Sequence, residues 1–279
     1  MPAAIFSLAL IAYPIARTFW MSVHNYNIAR PAHLNDFVGL SHYRSLFQDG
    51  QFWQSLMVMV IYAAAVTILS YAIGISTALL LNRRSRGVRI GRTLLTLPWA
   101  VPGVVAGFVF VWIFDANFGI ANYLLQQAGL IDAQIPWLVR PVPAMVVIIL
   151  AAVWKTAPFN MLTQLAGLQS VPAELYEAAR VDGADAFHQF RHITWPALGH
   201  VRMVAILLTV LHAFREFGQI WVISGGGPAR DTETLAVQLY VEAFQLFHFG
   251  YASALGVVML FVSLLFTYLT LRSSSSEFY

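Results

Sequence analysis

The sequence predicts an all-α, polytopic integral membrane protein with six transmembrane helices and a helix-turn-helix loop between the fourth and fifth. Of its 279 residues, 59% are hydrophobic and only 10% are charged, whereas an average soluble domain carries about 25% charged residues. Mean hydropathy is +0.68. Six apolar stretches are each long enough to cross about 30 Å of hydrocarbon, which takes about 20 helical residues. We expect residues 1–279 to form a single transmembrane domain.

A chain in lipid must satisfy its own backbone hydrogen bonds, and long apolar stretches do so as helices. The opening stretch has no basic region and no small-residue cleavage site, so we expect a retained span rather than a signal peptide. Its abrupt start leaves open whether a short segment precedes it. We place the six spans at residues 3–23, 54–81, 93–114, 142–168, 201–223 and 251–271.

Composition argues against an enzyme. The only lysine is Lys155, and it lies in no phosphate-binding G-x-x-x-x-G-K motif, so we expect no nucleotide bound in that manner. The sequence has no cysteine, which excludes disulfides and thiolate metal sites. No nucleophile elbow of the G-x-S-x-G type occurs. The net charge of +3 comes from one short loop, which indicates membrane orientation rather than nucleic-acid binding.

That loop, residues 82–92, contains five arginines and no acidic residue: Arg83, Arg84, Arg86, Arg89 and Arg92. The positive-inside rule places such a loop in the cytoplasm. Counting spans from there puts both termini and residues 169–200 in the cytoplasm as well. Binding of anionic lipid headgroups is a compatible second use of the arginines.

The segment between the first two spans, residues 24–52, has apolar residues at helical spacing. Leu40, Tyr43 and Phe47 would share one face of a short helix lying at the membrane interface, with Tyr26 in an aromatic belt. A partner for that helix and a purely lipid-facing position are equally compatible with this pattern.

The third predicted span contains Pro98 and Pro102 on either side of Trp99, followed by Gly103. Proline interrupts the helical hydrogen-bond ladder. A simple kink is our default expectation. The alternative is a discontinuous helix, where transporters place substrate sites and gates.

Polar side chains in the fourth and fifth spans are candidates for a transport pathway. Lys155 lies near the middle of the fourth span, where a cation costs a few kcal/mol and should face protein or water. Arg215 and Glu216 point about 100° apart on a helix, so one of them should meet Lys155 or an aqueous path. A structural ion pair and direct substrate contact both stay open. Our candidate pathway residues are Trp99, Lys155, Asn160, Gln164, Arg215, Glu216 and Gln219.

Residues 169–200 are too polar for hydrocarbon but retain helical signals. Pro172 can occupy a first helical turn. Gly183 can take the left-handed conformation that ends a helix. A second helix is expected at residues 184–192, with Pro196 ending it. We call this segment the elbow.

His188 and His192 are four residues apart and would share one helical face. Gln189 stands where the metalloprotease pattern requires glutamate, and no third ligand is evident. We expect two solvated histidines and no metal.

The elbow resembles the Glu-Ala-Ala loop in the membrane subunits of bacterial ATP-binding-cassette importers. The pattern consists of Glu177, Ala178 and Ala179, then three residues, Gly183, nine residues, Ile193, two residues and Pro196. Trp195 departs from the leucine usual in that family but keeps an apolar side chain. A chance match in an ordinary loop is the alternative.

The resemblance implies that the elbow docks into a separate ATPase subunit, which holds ATP and magnesium. The implied partners are a second permease subunit, two ATPase subunits and an extracytoplasmic solute-binding protein, all at the bacterial inner membrane. The implied coupling residues are Glu177, Ala178, Ala179, Asp182, Gly183, Ile193 and Pro196.

After the fifth span, Gly225, Gly226, Gly227 and Pro228 form a loop that resembles the sugar (maltose-type) branch of that family. It implies a carbohydrate substrate and makes these four residues candidates for contact with the binding protein. A secondary transporter using Lys155 as a coupling charge is the alternative, although no inverted repeat is visible. A membrane-embedded enzyme is a third, without a convergent polar cluster. Which solute is carried cannot be read from the sequence.

Overall fold

The computed structural model describes residues 2–27, 35–82 and 85–275, with the backbone alone at residues 2–5, 7 and 273–275. The described chain is predominantly helical. The first half contains α1 (Pro2–Ser22), β1 (His24–Asn25), β2 (Asp36–Phe37), α2 (Ser41–Gln48), α3 (Gly50–Leu81), α4 (Arg86–Ala100), α5 (Gly103–Ile113) and α6 (Ile120–Gln127).

The second half begins with α7 (Pro141–Gln169) and includes two short π-helical stretches. The remaining elements are α8 (Ala173–Val181), α9 (Ala186–Gln189), the π stretch Phe190–Thr194, α10 (Trp195–Ala197), α11 (Gly199–Phe214), α12 (Gly218–Ser224), α13 (Leu235–Tyr240), the π stretch Val241–Gln245 and α14 (Phe249–Ser275).

Within the described residues, three helices are long and apolar enough to cross a membrane: Gly50–Leu81, Pro141–Gln169 and Phe249–Arg272. They match the predicted second, fourth and sixth spans. Two sharply bent helix pairs raise the number to five. The predicted first span corresponds to α1. The count of six spans stays a prediction.

The third predicted span is not one kinked helix, so our default expectation was wrong. α4 and α5 meet at 98°. Val101 lies between them in an extended conformation, with ψ of 129°. The cause is Pro102, because the ring of a proline disfavours helical geometry in the residue before it. Pro98, by contrast, lies inside α4.

The fifth predicted span, residues 201–223, is also interrupted. α11 ends at Phe214, and Phe217 stands in a non-helical conformation before α12 begins at Gly218. Arg215 and Glu216 therefore lie in a break between two helices. Such breaks are tolerated at membrane depth where other groups satisfy the freed backbone.

The core lies where α3 and α7 pack along each other, with α11, α12 and α14 around them. Its largest buried side chains include Phe52, Met59 and Tyr62 from α3 and Ile148 from α7. α1 packs on α14, away from this centre. Many apolar side chains elsewhere are exposed, for example Trp112 at 73%, as a lipid-facing surface requires.

The segment after α1 contains a short antiparallel pairing of β1 with β2, which the sequence did not predict. The expected short helix is α2, which begins one residue after Leu40. In the arginine-rich loop, Arg83 and Arg84 lie outside the described residues. Arg92 donates to the Leu81 carbonyl and so ties the start of α4 to the end of α3.

Candidate functional site

The elbow joins the end of α7 to the start of α11, and its first helix, α8, ends in a Schellman motif. The Ala184 N–H donates to the Ala179 carbonyl at 2.8 Å, and the Gly183 N–H donates to the Arg180 carbonyl at 3.1 Å. Gly183 has a φ of +80°, which costs little only without a Cβ atom. The predicted helix stop at Gly183 is confirmed.

Pro172 lies one residue before the position predicted for it. It is the N-cap of α8, with ψ of 135°, and the first helical residue is Ala173. Glu174 lies in the first turn and Arg180 in the last. Both charges are placed favourably for the helix dipole.

The second helix of the elbow does not begin at residue 184 as predicted. Asp185 is its N-cap, and the carboxylate accepts the His188 N–H at 2.8 Å. This hydrogen bond holds the pKa of the Asp185 carboxyl below its usual value, and a second one from the His188 ring adds to the effect. The ionised cap therefore favours the start of α9 at Ala186.

Pro196 does not end this helix, so that prediction was wrong. The chain continues from α9 through Phe190–Thr194 into α10, and the turn comes at Leu198. The Trp195 N–H donates to the Phe190 carbonyl, five residues back. Because proline lacks an N–H and its ring crowds the carbonyl four residues earlier, a wider π turn accommodates it.

The two halves of the elbow are held to each other and to α7. The Tyr176 hydroxyl lies 3.0 Å from the Thr194 hydroxyl, which is buried. Leu198 is fully buried and packs in a cluster with Leu165 and Leu168 of α7. The elbow is therefore one packed unit rather than a loose loop.

The elbow also carries apolar side chains that the described part of the chain leaves exposed. Val181 is 89% exposed, Phe187 63% and Leu175 49%. Glu177 and Ala178 are exposed beside them on α8, and Ala179 is half-buried. An exposed apolar patch next to charged residues is typical of a protein-protein contact surface.

Three of the remaining predicted coupling residues, Asp182, Gly183 and Ile193, line a shallow depression in the elbow of about 400 Å³. His188 and His192 also face it, with their rings stacked 6.0 Å apart. Pro196 is exposed on α10 and does not line it. Within the described chain, no group of three side chains suited to hold a metal is found there or elsewhere.

A second site, which we call the polar cavity, lies between α4, α7 and α11 and has a volume of about 280 Å³. It brings together three of the predicted pathway residues, Trp99, Lys155 and Arg215. The Trp99 ring lies 6.3 Å from the Phe159 ring. Arg215 follows the last residue of α11, at the break before α12, and lines the cavity from there.

Three predicted pathway residues are buried in the helix packing and do not line this cavity. The Asn160 amide donates to the Ser70 and Thr209 hydroxyls, both at 3.2 Å, and so links α7 to α3 and α11. Gln164 and Gln219 are also buried. Periodicity in apolar spans does not fix helix rotation, which explains why the sequence could not separate these residues from the cavity.

Glu216 neither lines the cavity nor pairs with Lys155. Its carboxylate accepts the Gln219 N–H at 2.9 Å and lies 3.5 Å from the His212 ring. A methyl group on Gly103 would lie 3.9 Å from both Glu216 and Lys155. The start of α5 therefore lies next to both side chains.

His212, Thr156 and Thr209 also line the polar cavity, although they were not among the residues predicted from the sequence. A usable signal was present for one of them. His212 precedes Arg215 by three residues, and residues at that spacing share a helix face.

The glycine-rich loop after α12 is tightly folded. Gly225 and Gly226 have φ of +61° and +87°. Arg230 forms a two-pronged pair with the buried Glu233, at 2.7 and 2.8 Å, which raises the pKa of the Arg230 guanidinium. Gly225 is exposed, Gly226 is buried, and Gly227 and Pro228 are half-buried.

Comparison with known proteins assigns this architecture. A model of the family described as "binding-protein-dependent transport system inner membrane component" matches residues 70–274. The chain is 36% identical to the trehalose/maltose transport system permease protein MalF of Thermococcus litoralis, over 95% of this chain and 88% of that protein. It is 35% identical to the sulfoquinovosyl glycerol transport system permease protein SmoG of Agrobacterium fabrum, over 97% and 87%.

The fold is shared with a chain in the crystal structure of a bacterial ABC transporter involved in the import of the acidic polysaccharide alginate. The TM-score is 0.86 at 22% identity, covering 100% of this chain and 94% of that one. The family match and the two relatives cover most of the chain. This protein therefore belongs to the family of binding-protein-dependent transport system inner membrane components.

Proposed function

We propose that this chain is the transmembrane permease subunit of an ATP-driven, binding-protein-dependent importer for a carbohydrate. The observation that carries the proposal is the elbow, a packed helix-turn-helix with an uncovered apolar patch at Leu175, Val181 and Phe187. The names of the two relatives, which refer to trehalose/maltose and to sulfoquinovosyl glycerol, support a carbohydrate as the substrate.

The orientation we propose puts the elbow and both termini in the cytoplasm of a bacterial cell, with the chain in the inner membrane. The arginines of residues 82–92 support it, because positive charge accumulates in cytoplasmic loops. The loop with Gly225–Pro228 then lies outside, where a solute-binding protein could contact it. A related-fold transporter has been crystallised in complex with alginate pentasaccharide-bound periplasmic protein.

In this assembly, the chain forms half of the pathway and pairs with a second permease subunit, which is identical to it or homologous. Two ATPase subunits hold ATP and magnesium, and this chain holds no cofactor. The exposed Glu177 and Ala178 would contact one ATPase subunit.

The mechanism we propose is alternating access driven through the elbow. A ligand or partner shifts a conformational equilibrium only if it contacts the two states differently. An ATPase that pulls on α8 would also move the α7 end, because Leu198 packs against Leu165 and Leu168. α11 would follow, since it begins one residue after Leu198.

Reconstituted transport tests this proposal. In proteoliposomes, carbohydrate uptake should require ATP, the ATPase subunits and the binding protein, and it should persist when the proton gradient is collapsed. Uptake that depends on the proton gradient and needs no ATP would contradict the proposal and favour a secondary transporter.

A further inference from the structure

The polar cavity carries an excess of positive charge. Lys155 and Arg215 line it together with His212, and no carboxylate is among the described residues of its lining. Lys155 sits at the midpoint of α7 (Pro141–Gln169), one of the helices long and apolar enough to span the membrane. A cation at that depth costs a few kcal/mol or more and in spanning helices marks a ligand or ion path.

The Glu216 carboxylate lies beside the same residue, Gly103, as the Lys155 side chain, but it is not part of the cavity lining. Glu216 accepts the Gln219 N–H at 2.9 Å and faces His212 at 3.5 Å, and it is mostly buried outside the lining. Lys155 and Arg215 together exceed its single negative charge.

Among the described residues, Arg215 uses only one of its five side-chain N–H groups in a hydrogen bond. Its Nε–H donates to the Leu211 carbonyl at 3.1 Å, and the four N–H groups on its two terminal nitrogens project from a planar fork. That fork matches the two oxygens of a carboxylate or another oxyanion.

Other lining residues of the cavity suit a sugar ring. Trp99 offers an indole that is 52% exposed, and Thr156 and Thr209 supply hydroxyl groups. Apolar aromatic surface with a few fixed polar groups is the usual composition of a small-molecule site.

We propose that the polar cavity binds an anionic carbohydrate, with the acid group between Lys155 and Arg215 and the sugar ring against Trp99. This inference rests on the proposed function, because it names the substrate class of the same importer. A neutral sugar would leave both cations without an anionic partner on the path.

The test is ATP-driven uptake by the complete importer in proteoliposomes, using matched pairs of labelled disaccharides that differ only in one uronic acid or sulfonate group. We expect the anionic member of a pair to be taken up at least about tenfold better than the neutral one. Lys155→Gln and Arg215→Gln should each reduce this preference about tenfold or more, the loss typical of one charged hydrogen bond.

Two controls keep the outcome interpretable. Lys155→Arg retains the charge and should retain most of the preference, which separates charge from folding. Arg140→Gln removes an exposed cation at the start of α7, far along the helix from Lys155, and should change nothing.

The outcomes distinguish a failure of the proposed function from a failure of the proposed substrate class. Absence of ATP-driven uptake of any carbohydrate would contradict the proposed function itself. ATP-driven uptake of neutral sugars equal to or above that of their anionic partners, unchanged by Lys155→Gln, would overturn this inference and leave the importer assignment intact.

Discussion

Gly183 is the residue at which the elbow reverses direction, and its φ of +80° sets the angle between α8 and α9. The surrounding space is open, with no atom within 4 Å of where a Cβ would stand. The demand for glycine is therefore conformational rather than steric. That demand follows from helix-capping rules, which is why the sequence alone predicted this residue.

Gly183→Ala should loosen the elbow, because the left-handed conformation costs a residue with a Cβ about 1–2 kcal/mol. Hydrogen exchange at the Ala184 amide, the last donor of the Schellman motif, should accelerate about five- to thirtyfold. Gly199→Ala is the matched control, since Gly199 also has open space around it but a negative φ. Equal exchange in both variants would show that the turn is not strained.

Asp185 makes the start of α9 sensitive to acid. Its pKa is lowered because the carboxylate accepts the His188 N–H. A depressed folded-state pKa means that the capping contribution is complete above the ordinary aspartate pKa and is lost as pH falls through the lower, folded-state value.

Carboxyl ¹³C NMR of labelled protein in detergent should therefore give Asp185 a titration midpoint below that of an unstructured aspartate. Protection of the His188 amide should fall with the same midpoint. In Asp185→Asn, which keeps an acceptor but cannot ionise, that pH dependence should vanish. If the titration midpoint of Asp185 equalled that of an unstructured aspartate, the Asp185 carboxylate would not be the cap that stabilises the start of α9.

Another residue-scale feature could not be predicted from the sequence. Arg230 and Glu233 are only three residues apart in the sequence. Glu233 is buried, however, and one of the groups beside it belongs to α3. The Ser55 hydroxyl of that helix reaches the Glu233 carboxylate at 3.4 Å. No local pattern indicates a contact across 178 residues of chain.

At the scale of elements, uninterrupted apolar helices were predictable and broken ones were not. α3, α7 and α14 follow from hydrophobic length alone. The breaks at Val101 and at Phe217 interrupt stretches whose apolar length alone predicts a continuous helix, and at the second break the Glu216 carboxylate accepts the Gln219 N–H. Proline positions indicated that a break was possible, but its 98° angle is a property of packing.

At the junction between α10 and α11, the elbow packs against the long helix α7. Leu198 is fully buried there against Leu165 and Leu168. Removing its side chain leaves a cavity, which in protein cores costs about 2–5 kcal/mol.

Leu198→Ala should therefore lower the melting temperature of the purified protein and reduce the sugar transported per ATP hydrolysed. Leu130→Ala, at a side chain that is 71% exposed, should change neither. Unchanged coupling in Leu198→Ala would mean that force reaches the spans by another route.

At the scale of the whole molecule, two candidate sites lie along one chain. The elbow exposes the apolar side chains of Leu175, Val181 and Phe187, and the polar cavity lies between α4, α7 and α11. α7 connects them, since Lys155 lines the cavity and the same helix ends at Gln169, where the elbow begins. Rigid helices of this kind carry coupling only if they have two discrete arrangements.

The most direct measurement is a photo-crosslinker placed at Ala178 in the complete importer within its native membrane. Ala128, an exposed residue after α6 in a different loop, is the matched control. We expect Ala178 to capture an ATPase subunit and Ala128 to capture none. The account would be contradicted if the crosslinker at Ala178 captured no ATPase subunit. It would also be contradicted if membrane-impermeant reagents labelled position 178 from outside the cell.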